Sequence, residues 1–104
     1  MSYADRATPT GSIVTGTNFS YTAGAGALKG LVVNVGASGT TTVVAYDTNT
    51  GTAVGKVLFQ ASALFSSNYP SFSADFCEGI IFNSGLCIIV TGNGTSNAYF
   101  VAGG

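Results

Sequence analysis

The chain has 104 residues and a formal net charge of −1, with only seven charged side chains: Asp5, Arg6, Lys29, Asp47, Lys56, Asp75 and Glu78. Charged residues are 7% of the chain against about 25% in ordinary soluble domains, so a mean hydropathy of +0.44 implies a surface covered by lipid or by other protein. Three scattered basic residues give no footprint for a phosphate backbone, and without histidine there is neither a His-based triad nor a His metal site.

A chain of this length holds one domain with a single core. The longest apolar run, Leu86 to Val90, is far short of the roughly 20 residues that a spanning helix needs. The strand-like runs are also shorter than the roughly 9 to 11 residues of a lipid-facing barrel strand. Protein covering, with no membrane partner, is therefore the expectation.

Residues 1–10 contain Asp5, Arg6 and Pro9 without hydrophobic periodicity and read as an irregular N-terminal arm, frayed or tied to a neighbouring subunit. No apolar stretch follows the lone arginine, so no secretory signal is expected and synthesis in a reducing cytoplasm follows. Residues 11–104 read as one domain. Ser12 to Thr15 and Asn18 to Thr22 are strands, with Phe19 and Tyr21 on one face. Ala27 to Val35 sets Leu31, Val33 and Val35 against Leu28 and Val32, and Thr40 to Tyr46 is apolar on both faces too. Asp47 to Gly51 is a turn. Lys56 to Gln60 is a strand that Ala61 to Phe65 either continues or ends in a helical turn. Phe65 to Pro70 is a loop. Ser71 to Cys77 alternates Phe72, Ala74 and Phe76 with Ser71, Ser73 and Asp75. Ile80 to Phe82, Leu86 to Thr91 and Asn97 to Val101 follow, joined by Asn83-Ser84-Gly85 and Gly92-Asn93-Gly94, which read as hairpin turns.

Short strands at this spacing, without a credible helix, predict an all-β fold: an antiparallel β-sandwich or small barrel of about 7–8 short strands, Greek-key or jelly-roll-like. Leu86, Ile88 and Val90 opposite Cys87 and Ile89 mark the last part as the centre of a sheet covered on both sides. So few charges leave sheet edges unguarded, which points to closure by neighbouring copies.

Little in the chain carries chemistry. Asp75 and Glu78 are close enough in sequence for a glycosidase-type carboxylate pair, but a strand followed by a turn sends them to solvent or to backbone donors. Asp47-Thr48-Asn49-Thr50-Gly51 opens like a calcium loop. Its sixth position is Thr52 and its twelfth Leu58, so an Asx-type turn is the better reading. The glycine groups lack the lysine and the helix of a phosphate cradle. Cys77 and Cys87, ten apart, fit neighbouring strands of one hairpin, and in a reducing compartment two free thiols are favoured over a disulfide.

Taken in order, Leu28-Lys29-Gly30-Leu31-Val32-Val33, then Val43 to Asp47 with Gly51 and Gly55, then Gly79-Ile80-Ile81-Phe82-Asn83-Ser84-Gly85-Leu86 with Val90-Thr91-Gly92 and Asn97 to Val101, resemble the small all-β accessory virion proteins of tailed bacteriophages, of the head-decoration or cement type. The resemblance covers about residues 25–104. It implies a non-enzymatic structural subunit without cofactor or metal, made in the host cytoplasm and residing in the virion. There it sits as a homo-oligomer, often a trimer, on the major capsid protein and holds capsomers together. Large aromatics suit such a contact, and Phe65, Tyr69, Phe72, Phe76 and Phe100 are the interface candidates. The alternative is a tail, neck or fibre module that binds a host-surface glycan through Tyr3, Tyr46, Tyr69 or Tyr99, and a third reading is a small hydrolase using Asp75 and Glu78.

Overall fold

The computed structural model describes residues 7–36, 39–64 and 71–103. Among the described residues nine strands follow in chain order: β1 (Thr8–Pro9), β2 (Ile13–Val14), β3 (Asn18–Tyr21), β4 (Gly26–Asn34), β5 (Thr40–Asp47), β6 (Lys56–Leu64), β7 (Ser71–Phe82), β8 (Leu86–Thr91) and β9 (Thr95–Ala102). They form two antiparallel sheets. One runs β1-β9-β4-β7 with β2 also paired to β9, and the other runs β3-β8-β5-β6. The all-β, two-layer expectation is met; no closed barrel forms among the described residues.

The inward faces supply one core. Leu28, Leu31, Val33, Ala98, Phe100 and Phe82 come from the first sheet and Val43, Ala45, Leu86, Ile88 and Val90 from the second, all almost fully buried. Rings lock the layers together: Phe100 lies 5.4 Å from Phe19 and 5.2 Å from Tyr21, and Tyr21 lies 6.0 Å from Phe82. The buried hydroxyls are spent on backbone, Ser96 Oγ donating to the Val32 carbonyl and Thr41 Oγ1 accepting from Gly36 N–H.

Three departures from the sequence reading have physical causes. A bulge at Lys29 breaks the period of two in β4, since Leu28 pairs with Phe100 and Gly30 with Tyr99. Leu28 therefore joins Leu31, Val33 and Val35 on the core side instead of opposing them. The strands expected at Ser71 to Cys77 and Ile80 to Phe82 are one strand, β7, carrying its own bulge: Asp75 pairs with Gly30 and Ile80 with Leu28, so the four residues between stand out from the ladder.

The third departure concerns the turns. Asn83-Ser84-Gly85 and Gly92-Asn93-Gly94 are not hairpin turns, because β7 and β9 belong to one sheet and β8 to the other. Each segment arches across the core. Gly92 has φ 95°, and a Cβ there would run into the Thr40 carbonyl oxygen; only glycine fits that crossing. Cys77 and Cys87 consequently lie in different sheets. Both are free thiols, Cys77 exposed and Cys87 buried.

The end of the N-terminal arm belongs to its own domain. Thr8 and Pro9 pair with Phe100 and Tyr99, Thr10 N–H donates to the Ala98 carbonyl, and Ala98 N–H donates to Thr10 Oγ1. Ala61 to Leu64 continues β6 as strand, so the helical alternative is not taken up.

Candidate interaction surface

Position in the sheets decides which aromatics remain accessible. β6 and β7 are the outermost strands of their sheets on the same side of the sandwich, tied by Phe59 and Phe76 with ring centroids 4.9 Å apart. On the opposite side β2, paired to β9 along its whole length, also lies against β3 and β8 and so closes that margin. The β6/β7 margin has no such strap among the described residues. Phe59, Ala61 and Ala63 of β6 and Phe72, Ala74 and Phe76 of β7 are only half-buried there, packed against the core from one side.

Of the five aromatics singled out in the sequence, Phe72 and Phe76 come together on this open side. Phe100 is 6% exposed in the middle of the core, while Phe65 and Tyr69 lie outside the described residues. The features that period-two reading passes over are Leu64, 70% exposed, and Val57, 47% exposed, both on β6. A single-residue bulge explains Val57. Ala45 pairs with Phe59 and Tyr46 with Val57, which lets Leu58 and Phe59 both lean on the core and turns Val57 outward.

The two edges differ in protection. At the β7 bulge Cys77 has φ 52° and Gly79 φ 96°. Asp75 Oδ1 accepts Cys77 N–H at 3.0 Å, and Lys29 Nζ donates to the Cys77 and Glu78 carbonyls at 3.5 and 3.2 Å. A kinked edge carrying Asp75 and Glu78 resists strand addition. β6 holds one charged residue, Lys56 at its first position, and from Phe59 to Leu64 its pairing to β5 is regular.

A second feature is an open depression of about 430 Å³ on the outer face of the first sheet. Ala27, Ile81 and Val101, side by side on three strands, form its floor, with Lys29 and Glu78 on its rim. Ile81 is 61% exposed. The Lys29 ammonium is engaged by the bulge carbonyls, and Asp75 is engaged by Cys77, so these groups build the bulge.

Asp47 also has a structural role, different from the local Asx turn expected. Its carboxylate accepts Asn83 N–H at 3.0 Å and Ser84 N–H at 2.9 Å, holding the arch between β7 and β8. Burial pulls its pKa upward, but the N–H groups of Ser84, Asn83 and Gly85 and the Lys56 charge outweigh that and hold it below the ordinary carboxylate value. The turn itself is built by threonines. Thr48 Oγ1 bonds Thr50 Oγ1 and Thr50 Oγ1 bonds Thr52 Oγ1, both at 2.9 Å, while Thr50 N–H and Thr52 N–H donate back along the same ladder. Among the described residues no group of three or more His, Cys, Asp or Glu side chains gathers to hold a metal. Tyr46, paired with Cys87, and Tyr99, paired with Gly30, sit on the outer faces of opposite sheets and do not form one platform.

Comparison with family models, curated proteins and solved structures found no match to this chain.

Proposed function

We propose that this chain is a non-enzymatic structural subunit of a virion, a head-decoration or cement protein that docks on the major capsid protein and stabilises neighbouring capsomers. We take its two-layer sandwich as Greek-key or jelly-roll-like, a reading supported by the two antiparallel sheets. The observation that carries this reading is the open β6/β7 side. There Val57, Leu64, Phe72 and Phe76 present apolar surface on a margin whose β6 strand has a single charge, at Lys56. Interface cores share that depletion of charge and enrichment in aromatics, and the resemblance of residues 25–104 to decoration proteins names the assembly.

The test is co-sedimentation of the purified chain with capsid shells that lack it. Saturable binding, with a rise in the temperature at which the shells fall apart, is expected. Binding to tails with none to shells would replace this reading with that of a tail, neck or fibre module. Replacing Asp75 and Glu78 by Asn and Gln is expected to leave shell binding intact.

A further inference from the structure

We propose that two copies of this chain join through β6, edge to edge and antiparallel about a two-fold axis, so that their four-stranded sheets become one continuous sheet. The proposal rests on the inventory of edges and goes beyond the head-decoration reading: it gives β6 to the second copy and leaves the β7 half of the margin, with Phe72 and Phe76, to the capsid contact, and the capsid-binding arm of the test below separates the two.

Strand length selects the partner. Among the described residues, the sheet margins are β6, β7, β3 and the two-residue strands β1 and β2. β7 is interrupted by its four-residue bulge and carries Asp75 and Glu78. β3 has only four residues, Asn18–Tyr21, and lies beside β2. β6 offers a regular run from Phe59 to Leu64 with no charge in it, and about half of its backbone N–H and C=O groups point away from β5. The edge that best matches β6 in length and lack of charge is another β6. A like-with-like contact is isologous and closes at two copies. A threefold ring needs unlike edges to meet, and β1, β2 and β3 are too short to satisfy β6.

Side-chain complementarity supports the same occupant. Residues opposite each other across an antiparallel pair share a face, so the two-fold axis must pass through a residue. Centred on Ala61, it sets Phe59 beside Ala63 of the second copy and Gln60 beside its Ser62, which places a large side chain against a small one on the core side. Centred on Ser62, it sets Ala61 beside Ala63 and Gln60 beside Leu64. Neither register opposes Lys56 to Lys56.

The paired run is short: Leu58 to Leu64 in the first register and Gln60 to Leu64 in the second, about 23 and 17 Å at about 3.3 Å per residue. A contact of that length is smaller than a standard interface of roughly 800 Å² per partner, which makes the dimer a micromolar one. Leu64 loses its exposure in the process, facing Leu58 or Gln60 of the second copy.

The experiment is light scattering after gel filtration of the intact chain from low to high micromolar concentration, with two double variants. Gln60→Lys with Ser62→Lys places ammonium against ammonium in either register, and Gln60→Glu with Ser62→Glu places carboxylate against carboxylate. Both pairs lie on the exposed outer face of β6. Wild-type chain is expected at twice its monomer mass. Each double variant is expected to be monomeric, its dissociation constant raised about tenfold or more, and an equimolar mixture of the two is expected to recover the dimer. A monomeric or trimeric wild type, a dimer indifferent to the lysines, or a mixture that stays monomeric would each overturn the proposal. A monomeric wild type that still binds capsid shells would overturn it while leaving the decoration reading in place.

Discussion

At the scale of single residues, the two cysteines differ in what surrounds them. Cys87 lies on β8 between Ser20 and Tyr46 of the flanking strands, fully buried, and burial pushes its thiol pKa up despite a hydrogen bond with Ser20. Cys77 stands on the β7 bulge, exposed. Native protein treated with a maleimide at neutral pH should therefore take one label, at Cys77, and a second only on unfolding; two labels at equal rates would contradict the burial of Cys87. Asp47 is a second residue with a measurable signature. Its carboxyl pKa is lowered in the folded chain, so it stabilises the fold at pH values above its unfolded pKa of about 4 and loses that contribution as pH falls through the lower folded value. Asp47→Ala should cost about 1 kcal/mol at neutral pH, because the two arch N–H groups are exposed and water takes the place of their acceptor. Its acid denaturation curve should be flatter below about pH 4 than the wild type's. The carboxylate was recognisable in the sequence as a turn residue. What it holds was not, because Asn83 and Ser84 are brought to it by the fold and lie far away along the chain.

At the scale of elements, strand positions were legible from β-branched and aromatic runs punctuated by glycine, and register was not. A period-two count runs straight through Lys29 and assigns Leu28 to the wrong face. The only local hint of a bulge is a lysine and a glycine inside an apolar run. The same holds for β7, where Cys77, Glu78 and Gly79 look like the end of one strand and the start of another. Hairpin and arch also share one vocabulary, since a glycine-rich turn between two apolar strands serves either. The core favours arches here because β8 must bury Leu86, Ile88 and Val90 against the sheet that holds β7 and β9. Gly92→Ala should be costly for that reason: a positive φ and a collision with the Thr40 carbonyl together should destabilise the chain by roughly 2 kcal/mol or more, read as a lower midpoint in urea with unchanged slope. Gly11→Ala, also at positive φ but with open space around it, should cost less.

At the scale of the whole molecule, low charge and excess apolarity lead one to expect apolar side chains at the surface, and the sheet order decides where they lie. Of the segments that are apolar on both faces, β8 is the clearest. Its second face is largely covered from within, Cys87 lying between Ser20 and Tyr46 and Ile89 beside Asn18 and Val44 of the same sheet. Exposed apolar surface lies instead on β6, at Val57 and Leu64, and on the outer face of the first sheet, at Ile81 and Tyr99. Phe72, Phe76 and Phe100 are interface candidates on the same ground, their large aromatic side chains, but the strand of Phe100 lies between others and its ring is enclosed. Which side of a sandwich stays open depends on sheet order, and that order is set by contacts distant in sequence. Whether the β6/β7 side is covered on assembly is read by hydrogen exchange of the chain, free at high dilution and after mixing with capsid shells. The predicted result is slowed exchange of the outward amides between Phe59 and Leu64 on assembly, with β3 and β9 unchanged. Unaltered exchange in β6, with new protection around Ala27, Ile81 and Val101 instead, would contradict it.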